Sequence, residues 1–558
     1  MNYKKKYLMT GWLLAFSFLV LMTVADSAQK RPNLLFILSD DQGWGDIGFH
    51  DPALYSPNLD RLAEQNLELT HHYAAPQCTP SRVSFLTGRY AQRFGPQAII
   101  AGYNVQAIPF GTPTLASLLK AQGYDTALIG KWHLGSVPGQ HPNLWGFDYS
   151  YGSLGGAVGV YDHRYRLRKK DYVNTWHRNG ELIPGHENGK PYEEGTHVTD
   201  LITKDAIRFL KQKREQPFFL YLAYTAVHTP LAEEDKWFKD PEGKIQKIKD
   251  ESRRLMAASV HHLDDAVGQV LQALAETGVL ENTIVVYSSD NGGVAGGHQG
   301  GGYAEPNPDL KPGYSSNGEL RSGKTHVYEG GIRVPTIVSW PGVLGKGVID
   351  DPVHICDWLP TFGKIAGVEL PSNLDGRDIL PVLKGEPAEP RGFYWARGKQ
   401  IPWSRRAVRR GGWKLVNEGQ SWALYHLETD PGEQKNLAEK YPEKVKSLLD
   451  FYESEAAKDE GRPLMSVWIK GPKTVTSGRD AVFELVCSEP MKLMKDDLYI
   501  DGAEVTAIEH RGKTVSVTVQ STGKPQIILQ VKEGVIKNEN GRVNQPSSPF
   551  RCAVEKGN

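Results

Sequence analysis

The 558-residue chain is too long for one ordinary core and, at about 150 residues per domain, calls for one large domain with smaller additions. Its 39% apolar, 10% aromatic and 23% charged residues match ordinary folded proteins, so a largely disordered chain is excluded. Lys+Arg and Asp+Glu both total 65, so the basic excess of a nucleic-acid binder or a polybasic membrane patch is missing, no nucleic-acid partner is expected, and anion recognition has to be local.

In chain order, Lys4, Lys5 and Lys6 precede an apolar run over 8–24 and the small residues Ala25, Ser27 and Ala28, the layout of a secretory signal peptide spanning 1–28. The competing reading is an uncleaved anchor, but Thr10, Gly11 and Ser17 dilute the run, and no stable membrane insertion is expected after cleavage. An exported, periplasmic or secreted address follows. The four cysteines, Cys78, Cys356, Cys487 and Cys552, are too few for a disulfide framework, although Cys487 and Cys552 share a C-terminal segment and could pair.

From 29 to 375, short β-rich apolar runs alternate with helical stretches, which predicts an α/β domain with a large, mixed, mostly parallel sheet sandwiched by helices. The strands are expected at 33–38, 126–129, 218–224, 283–288 and 334–340, and helices at 114–121, 199–211 and 254–276, the last capped by Gly278. Shorter strand-like pieces and a helix at 441–457 predict a small α+β subdomain over 376–464. Alternating runs at 481–486, 515–519 and 527–531, set between turn residues, predict an all-β, Ig-like sandwich over 465–558.

Polar groups follow four of the strands: Asp40 and Asp41, then Lys131 and His133, then His228, then Asp290 and Asn291. In an open parallel sheet, ligands bind beyond the carboxyl ends of the strands, so these groups are expected to meet at one edge. Asp40, Asp41, Asp290 and Asn291 offer only oxygen, which suits a hard cation, Ca²⁺ where coordination is irregular and Mg²⁺ where it is octahedral. An isolated Asp-Asp would be a solvated turn. Here two such pairs follow two strands, each with a glycine after it, Gly43 and Gly292, that permits close backbone approach to a ligand.

The most specific feature is Cys78-Thr79-Pro80-Ser81-Arg82, followed by Thr87-Gly88-Arg89. Pro80 suits a first helical turn, which would put Cys78 at a helix N-terminus, where unpaired amides favour an anion. A free cysteine of lowered pKa would explain reactivity there, but not the residues around it. The segment resembles the C-x-P-S-R signature of the type I, formylglycine-dependent sulfatases, arylsulfatase-like members of the alkaline phosphatase superfamily. The resemblance runs over about 31–446 and includes, in order, Asp40-Asp41-Gln42-Gly43, Gly130-Lys131-Trp132-His133, His228-Thr229-Pro230, Ser289-Asp290-Asn291-Gly292 and Leu320-Arg321-Ser322-Gly323-Lys324.

That resemblance implies a sulfuric ester hydrolase in which Cys78 is oxidised to formylglycine (3-oxoalanine) by a separate maturing enzyme, its hydrate being the nucleophile. It assigns Ca²⁺ to Asp40, Asp41, Asp290, Asn291 and the modified Cys78. Arg82 would hold hydrate and metal in place, Lys131 and Lys324 would grip sulfate oxygens, His133 would be a base toward the second hydroxyl, and His228 an acid toward the leaving oxygen. An exported enzyme with an extra β-sandwich resembles those that degrade extracellular polysaccharides, which makes a sulfated carbohydrate the expected substrate. The alternatives are a phosphate or phosphonate ester hydrolase of the same superfamily and a non-catalytic glycan-binding protein. Two features stay open: Trp403, Arg405 and Arg406 either line a cleft for an anionic sugar or pack in a small sheet, and the Gly-rich 292–302 stretch is a lid or an ordinary loop. The pairs His71, His72 and His261, His262 receive no site role, since neighbours on one element cannot both face one ligand.

Overall fold

The computed structural model describes residues 31–555 except 100–105, 169–170, 184–195, 296–310, 312, 399–403, 420, 460–466, 473, 488–491, 513 and 533–549. The expected signal peptide, Trp403 and most of the Gly-rich stretch therefore lie outside the described residues. Among the described residues, no helix is long and apolar enough to cross a membrane.

The central sheet is built from β1 (Asn33–Ser39), β2 (Leu67–Leu69), β3 (Asp125–Lys131), β4 (Tyr149–Ser153), β5 (Trp176–Arg178), β6 (Glu181–Leu182), β7 (Phe218–Ala223), β8 (Thr283–Ser289), β9 (Thr336–Ser339) and β10 (Gly347–Ile349). Its order is β10-β2-β9-β8-β1-β7-β3-β4-β5-β6. The middle run β8-β1-β7-β3-β4 is parallel. β9, expected as a longer strand over 334–340, is short and runs antiparallel to β8. The sheet is therefore mixed, with its parallel part at the centre.

Side chains alternate across a strand, and both faces of β1 are covered. Leu34, Phe36 and Leu38 pack with α2 (Cys78–Thr87), α3 (Leu115–Ala121) and α6 (Trp358–Ala366), whereas Leu35 and Ile37 meet α1 (Pro57–Gln65), α4 (Val198–Leu210) and α5 (Glu251–Glu276). Burial on both faces is why β1 reads as an unbroken apolar run. Helix α3 starts where Thr114 and Ser117 close a reciprocal capping box, and α5 ends with Gly278 in the left-handed region at φ 70°.

Past the central sheet, β11 (Gly392–Arg397), β12 (Arg405–Arg410), β13 (Trp413–Asn417) and β14 (Ala423–His426) form an antiparallel sheet packed by α7 (Pro442–Ala456). The last segment forms two more four-stranded sheets, which share a core that includes Phe483, Leu485, Val517 and Leu529. Cys552 in that core is a free thiol, so the pairing open to it with Cys487, whose side chain lies outside the described residues, is not made.

The helical pair His261 and His262 divides as helix geometry requires. His262 of α5 is buried, its Nδ1 donating to Glu233 at 2.8 Å and its Nε2 to Asp200 of α4 at 3.1 Å, while His261 reaches the Trp237 carbonyl from the half-buried surface. With both nitrogens given to carboxylates, His262 has no lone pair for a metal, and its contacts to Asp200 and Glu233 are ion pairs. Burial opposes the charge, but the hydrogen bonds that His262 donates to Asp200 and Glu233 outweigh it and raise the imidazole from 6.5 to about 9. A base whose pKa is raised on folding stabilises fully below its unfolded value. The contribution, on the order of 3 kcal/mol, is expected below about pH 6.5 and to be lost as pH rises through about 9. Urea unfolding of wild type and His262→Gln checks this: their stability difference narrows across that window.

Candidate active site at the carboxyl edge of the sheet

The parallel register brings four strand ends side by side, since Leu38 of β1 lies opposite Ala223 of β7 and Ser288 of β8, and Ala223 lies opposite Gly130 of β3. Asp40 and Asp41 leave β1, Asp290 and Asn291 leave β8, Lys131 ends β3, and His228 follows β7, all at this edge. The two acidic loops are tied together: the Asp41 amide donates to Asp290 Oδ1 at 3.2 Å, the Asp290 amide to the Ser39 carbonyl at 3.1 Å, and Asp40 exchanges backbone bonds with Ala226 and Val227 at 2.8 Å.

Helix α2 enters from one face with Cys78 as its first residue and Gln77 as its N-cap. Cys78 Sγ lies 3.3 Å from Asp40 Oδ1 and 3.8 Å from Asp41 Oδ1. One turn on, Arg82 is wholly buried and forks onto Asp290 Oδ2, through Nε at 3.1 Å and Nη2 at 2.7 Å, while its Nη1 donates to the Lys131 carbonyl at 2.8 Å. Lys131 Nζ bonds Asp40 Oδ2, and Lys324 Nζ lies 2.7 Å from Asp41 Oδ2. His228 donates its Nδ1 proton to the Thr229 carbonyl at 2.5 Å and turns Nε2 toward Asp41 Oδ2 at 3.5 Å. His133 is buried against Gly156, and its Nδ1 has no partner among the described residues.

Every residue expected at the site is thus at this edge. The expected role of the glycines is corrected. A Cβ on Gly43 would meet the Ser316 carbonyl at 2.2 Å, and one on Gly292 the Gly330 carbonyl at 1.8 Å, so both permit close approach of the chain to itself rather than to a ligand. Asp41 and His133 hold φ of 60° and 57°, a left-handed conformation uncommon outside glycine that aims both side chains and has no sequence signature.

The buried charges act on one another. Burial raises Asp41, but Lys324, His228 and Lys131 outweigh it and hold its carboxyl well below the usual carboxylate range. Burial and Asp40 carry Asp290 up to about 6 against Arg82. Burial, Asp290 and Asp40 push the Cys78 thiol well above its ordinary value, opposite to the lowered pKa of a cysteine activated by a helix start. Burial and the neighbouring cations hold His133 well below an ordinary imidazole, and burial and Lys324 bring His228 to about 3.

The donor set suits a hard cation. Ligand atoms of Asp40, Asp41, Cys78 and His228 lie within 4.8 Å of one another, Asp290 lies behind them on Asp41, and Asn291 Oδ1 is a buried acceptor with no partner among the described residues. Asp40, Asp41, Asp290 and Asn291 would hold such an ion.

Sequence reasoning missed the groups that position Lys324. Asn317 accepts from the Gly293 amide at 2.9 Å and donates to the carbonyls of Gly293 and Ser322, tying the β8 loop to the lysine turn. Behind that turn, Lys414 of β13 lies 2.8 Å from Glu329 and 2.9 Å from Glu433, all fully buried. No spacing in the sequence links these positions.

Comparison with known proteins agrees with this geometry. The sulfatase family matches residues 32–368, and the family described as N-sulphoglucosamine sulphohydrolase, C-terminal, matches 321–454. Mouse (Mus musculus) arylsulfatase J is 32% identical over 476 residues, covering 75% of each chain, and dog (Canis lupus familiaris) N-acetylgalactosamine-6-sulfatase is 33% identical over 422 residues, covering 70% of this chain and 73% of the relative. The solved structure of Ps i-CgsB in complex with k-i-k-neocarrahexaose superimposes with a TM-score of 0.66 at 30% identity, covering 77% of this chain and 94% of that one. The chain belongs to the sulfatase family and is a sulfuric ester hydrolase. The non-catalytic glycan-binding alternative gives way to an enzyme.

If the acidic set holds a cation, Ca²⁺ added to metal-stripped protein stabilises it by about 2.7 kcal/mol at a hundredfold excess over Kd. Scanning calorimetry of wild type and Asp41→Ala checks this, with no gain expected in the variant.

Proposed function

We propose that the protein is an exported, calcium-dependent sulfatase of sulfated carbohydrates whose nucleophile is made from Cys78. The observation that carries this reading is that nucleophile, metal donors and anion-gripping cations share one pair of aspartates. Cys78 approaches the near oxygens of Asp40 and Asp41, while Lys131 and Lys324 occupy their far oxygens. When present, Ca²⁺ and the formylglycine hydrate together supply an activated hydroxyl in place of a thiol, and the conversion needs a formylglycine-generating partner enzyme.

The chain's own residues do the rest. Arg82 fixes Asp290 and, through the Lys131 carbonyl, the end of β3. Lys131 and Lys324 offset charge that builds on the sulfate oxygens as the ester bond breaks. We read His133 as the base toward the second hydroxyl; its backbone carbonyl accepts from the hydroxyl of Thr79, the residue after Cys78, at 3.4 Å. His228, its Nδ1 tied to the Thr229 carbonyl and its Nε2 turned to the Asp41 carboxylate, takes the role of acid toward the leaving oxygen, which requires Nε2 to gain a proton before the ester bond breaks.

A carbohydrate substrate is supported by relatives described as acting on N-acetylgalactosamine 6-sulfate esters and by the neighbour bound to neocarrahexaose. The leader over 1–28 supports export. We read 29–375 as the catalytic domain, 376–464 as its C-terminal subdomain, and 465–558 as an Ig-like accessory domain.

Mass spectrometry of the Cys78 peptide, from a host able to mature sulfatases, is expected to find the aldehyde, with Cys78→Ala releasing no sulfate from a sulfated-glycan panel. A wholly unmodified thiol in active enzyme would overturn the nucleophile, and preferential hydrolysis of matched phosphate or phosphonate esters would overturn the substrate class. His228→Ala is expected to lower kcat by about 10²–10⁴-fold, read by sulfate release; an unchanged rate would remove its role.

A further inference from the structure

The edge of the site beside Cys78 and Lys324 is walled by the sheet of β11 to β14, and two arginines on that wall have no part in the chemistry above. Arg397 at the end of β11 lies directly opposite Arg405 at the start of β12 in the antiparallel register. Residues so paired stand on the same face of a sheet, where like charges repel. Both reach toward the site. Arg397 Nε donates to Gln77 Oε1 at 3.0 Å, and Gln77 immediately precedes Cys78. Arg405 Nη1 bonds the Thr325 carbonyl and lies 2.7 Å from Thr325 Oγ1, and Thr325 immediately follows Lys324. The Thr325 amide in turn donates to the Pro76 carbonyl at 2.6 Å, so the two anchor points adjoin.

Neither charge is well compensated. Glu418 lies 3.8 Å from Arg405, but it already accepts from His326 at 2.5 Å and the Val327 amide at 2.8 Å. Arg397 is half-buried, and among the described residues it makes no ion pair and donates only to Gln77, through Nε. Burial, then Arg405, lower it to about 10, with Glu418 acting only partly against them. Arg406, the next residue along β12, points the other way and lies over Trp422 and Tyr452, so the cleft suggested by the sequence is divided. Arg405 belongs to the site and Arg406 to the packing against α7.

We propose that Arg397 and Arg405 form a subsite for a second anionic group, a carboxylate or a further sulfate, carried by the saccharide whose sulfate ester sits between Cys78 and Lys324. Guanidinium forks match the paired oxygens of either group, and an anion between the two arginines removes their mutual repulsion. The inference rests on the carbohydrate-sulfatase reading and narrows it to polyanionic saccharides.

The test uses three disaccharides with the same scissile sulfate ester: one with no other charge, one with a second sulfate and one with a neighbouring uronate. The wild-type enzyme is expected to favour at least one doubly anionic substrate tenfold or more in kcat/KM. Arg397→Gln should cut that preference at least tenfold, chiefly through KM, and Arg397→Lys should recover part of it. The substrate whose advantage is lost identifies the group bound. A preference unchanged in Arg397→Gln, or an equal fall in kcat on all three substrates, would overturn the subsite and leave Arg397 a packing residue. Calorimetric binding of the doubly anionic disaccharides to Cys78→Ala and to Cys78→Ala/Arg397→Gln separates the two readings. Binding weakened tenfold by the second change supports the subsite even if no saccharide is turned over, whereas binding indifferent to it overturns the subsite even if the enzyme is a saccharide sulfatase.

Discussion

Six charged side chains buried at the carboxyl edge of the sheet have to neutralise one another, and much of the surrounding structure serves that requirement. Asp40, Asp41 and Asp290 face Arg82, Lys131 and Lys324, all nearly or wholly inaccessible to solvent. An isolated buried charge costs several kcal/mol, and removing one partner of a buried pair typically destabilises by about 3–5 kcal/mol. Each cation comes from a different element, α2, β3 and the turn after Leu320, so neutrality is reached only when all of these are docked. Folding and assembly of the site are therefore one event.

The same requirement explains the second sheet. Lys324 is carried on a turn without regular structure, and such a turn holds a charge in place only if it is itself held. Asn317 secures it from the β8 loop, and the Lys414, Glu329 and Glu433 cluster secures it from β13 and beyond. Trp395 of β11 adds a bond from its indole to the Ala74 carbonyl at 3.0 Å, just ahead of Cys78. The subdomain that carries Arg397 and Arg405 is thus also the one that braces the segments bearing Cys78 and Lys324.

The parts legible in the sequence were those set by local rules. Strands β1, β3, β7 and β8 announce themselves as apolar runs, α5 by the Gly278 cap, and the acidic, basic and imidazole residues by their position just after strands. Less legible were features that depend on partners distant in the chain. The antiparallel insertion of β9 and the left-handed backbone at Asp41 and His133 leave no trace in composition or period. Gly43 and Gly292 were visible as glycines, but the carbonyls they accommodate come from Ser316 and Gly330.

By itself the sequence determined the α/β class, the chemistry available at each strand end and the family signature around Cys78, because hydrophobic period, capping and residue type are properties of short segments. Tertiary structure alone decided which charge pairs with which: Arg82 with Asp290, Lys131 with Asp40, Lys324 with Asp41, and Arg397 with no carboxylate among the described residues. Pairing depends on distances between segments that strand order and register bring together, and a linear pattern holds no record of those distances.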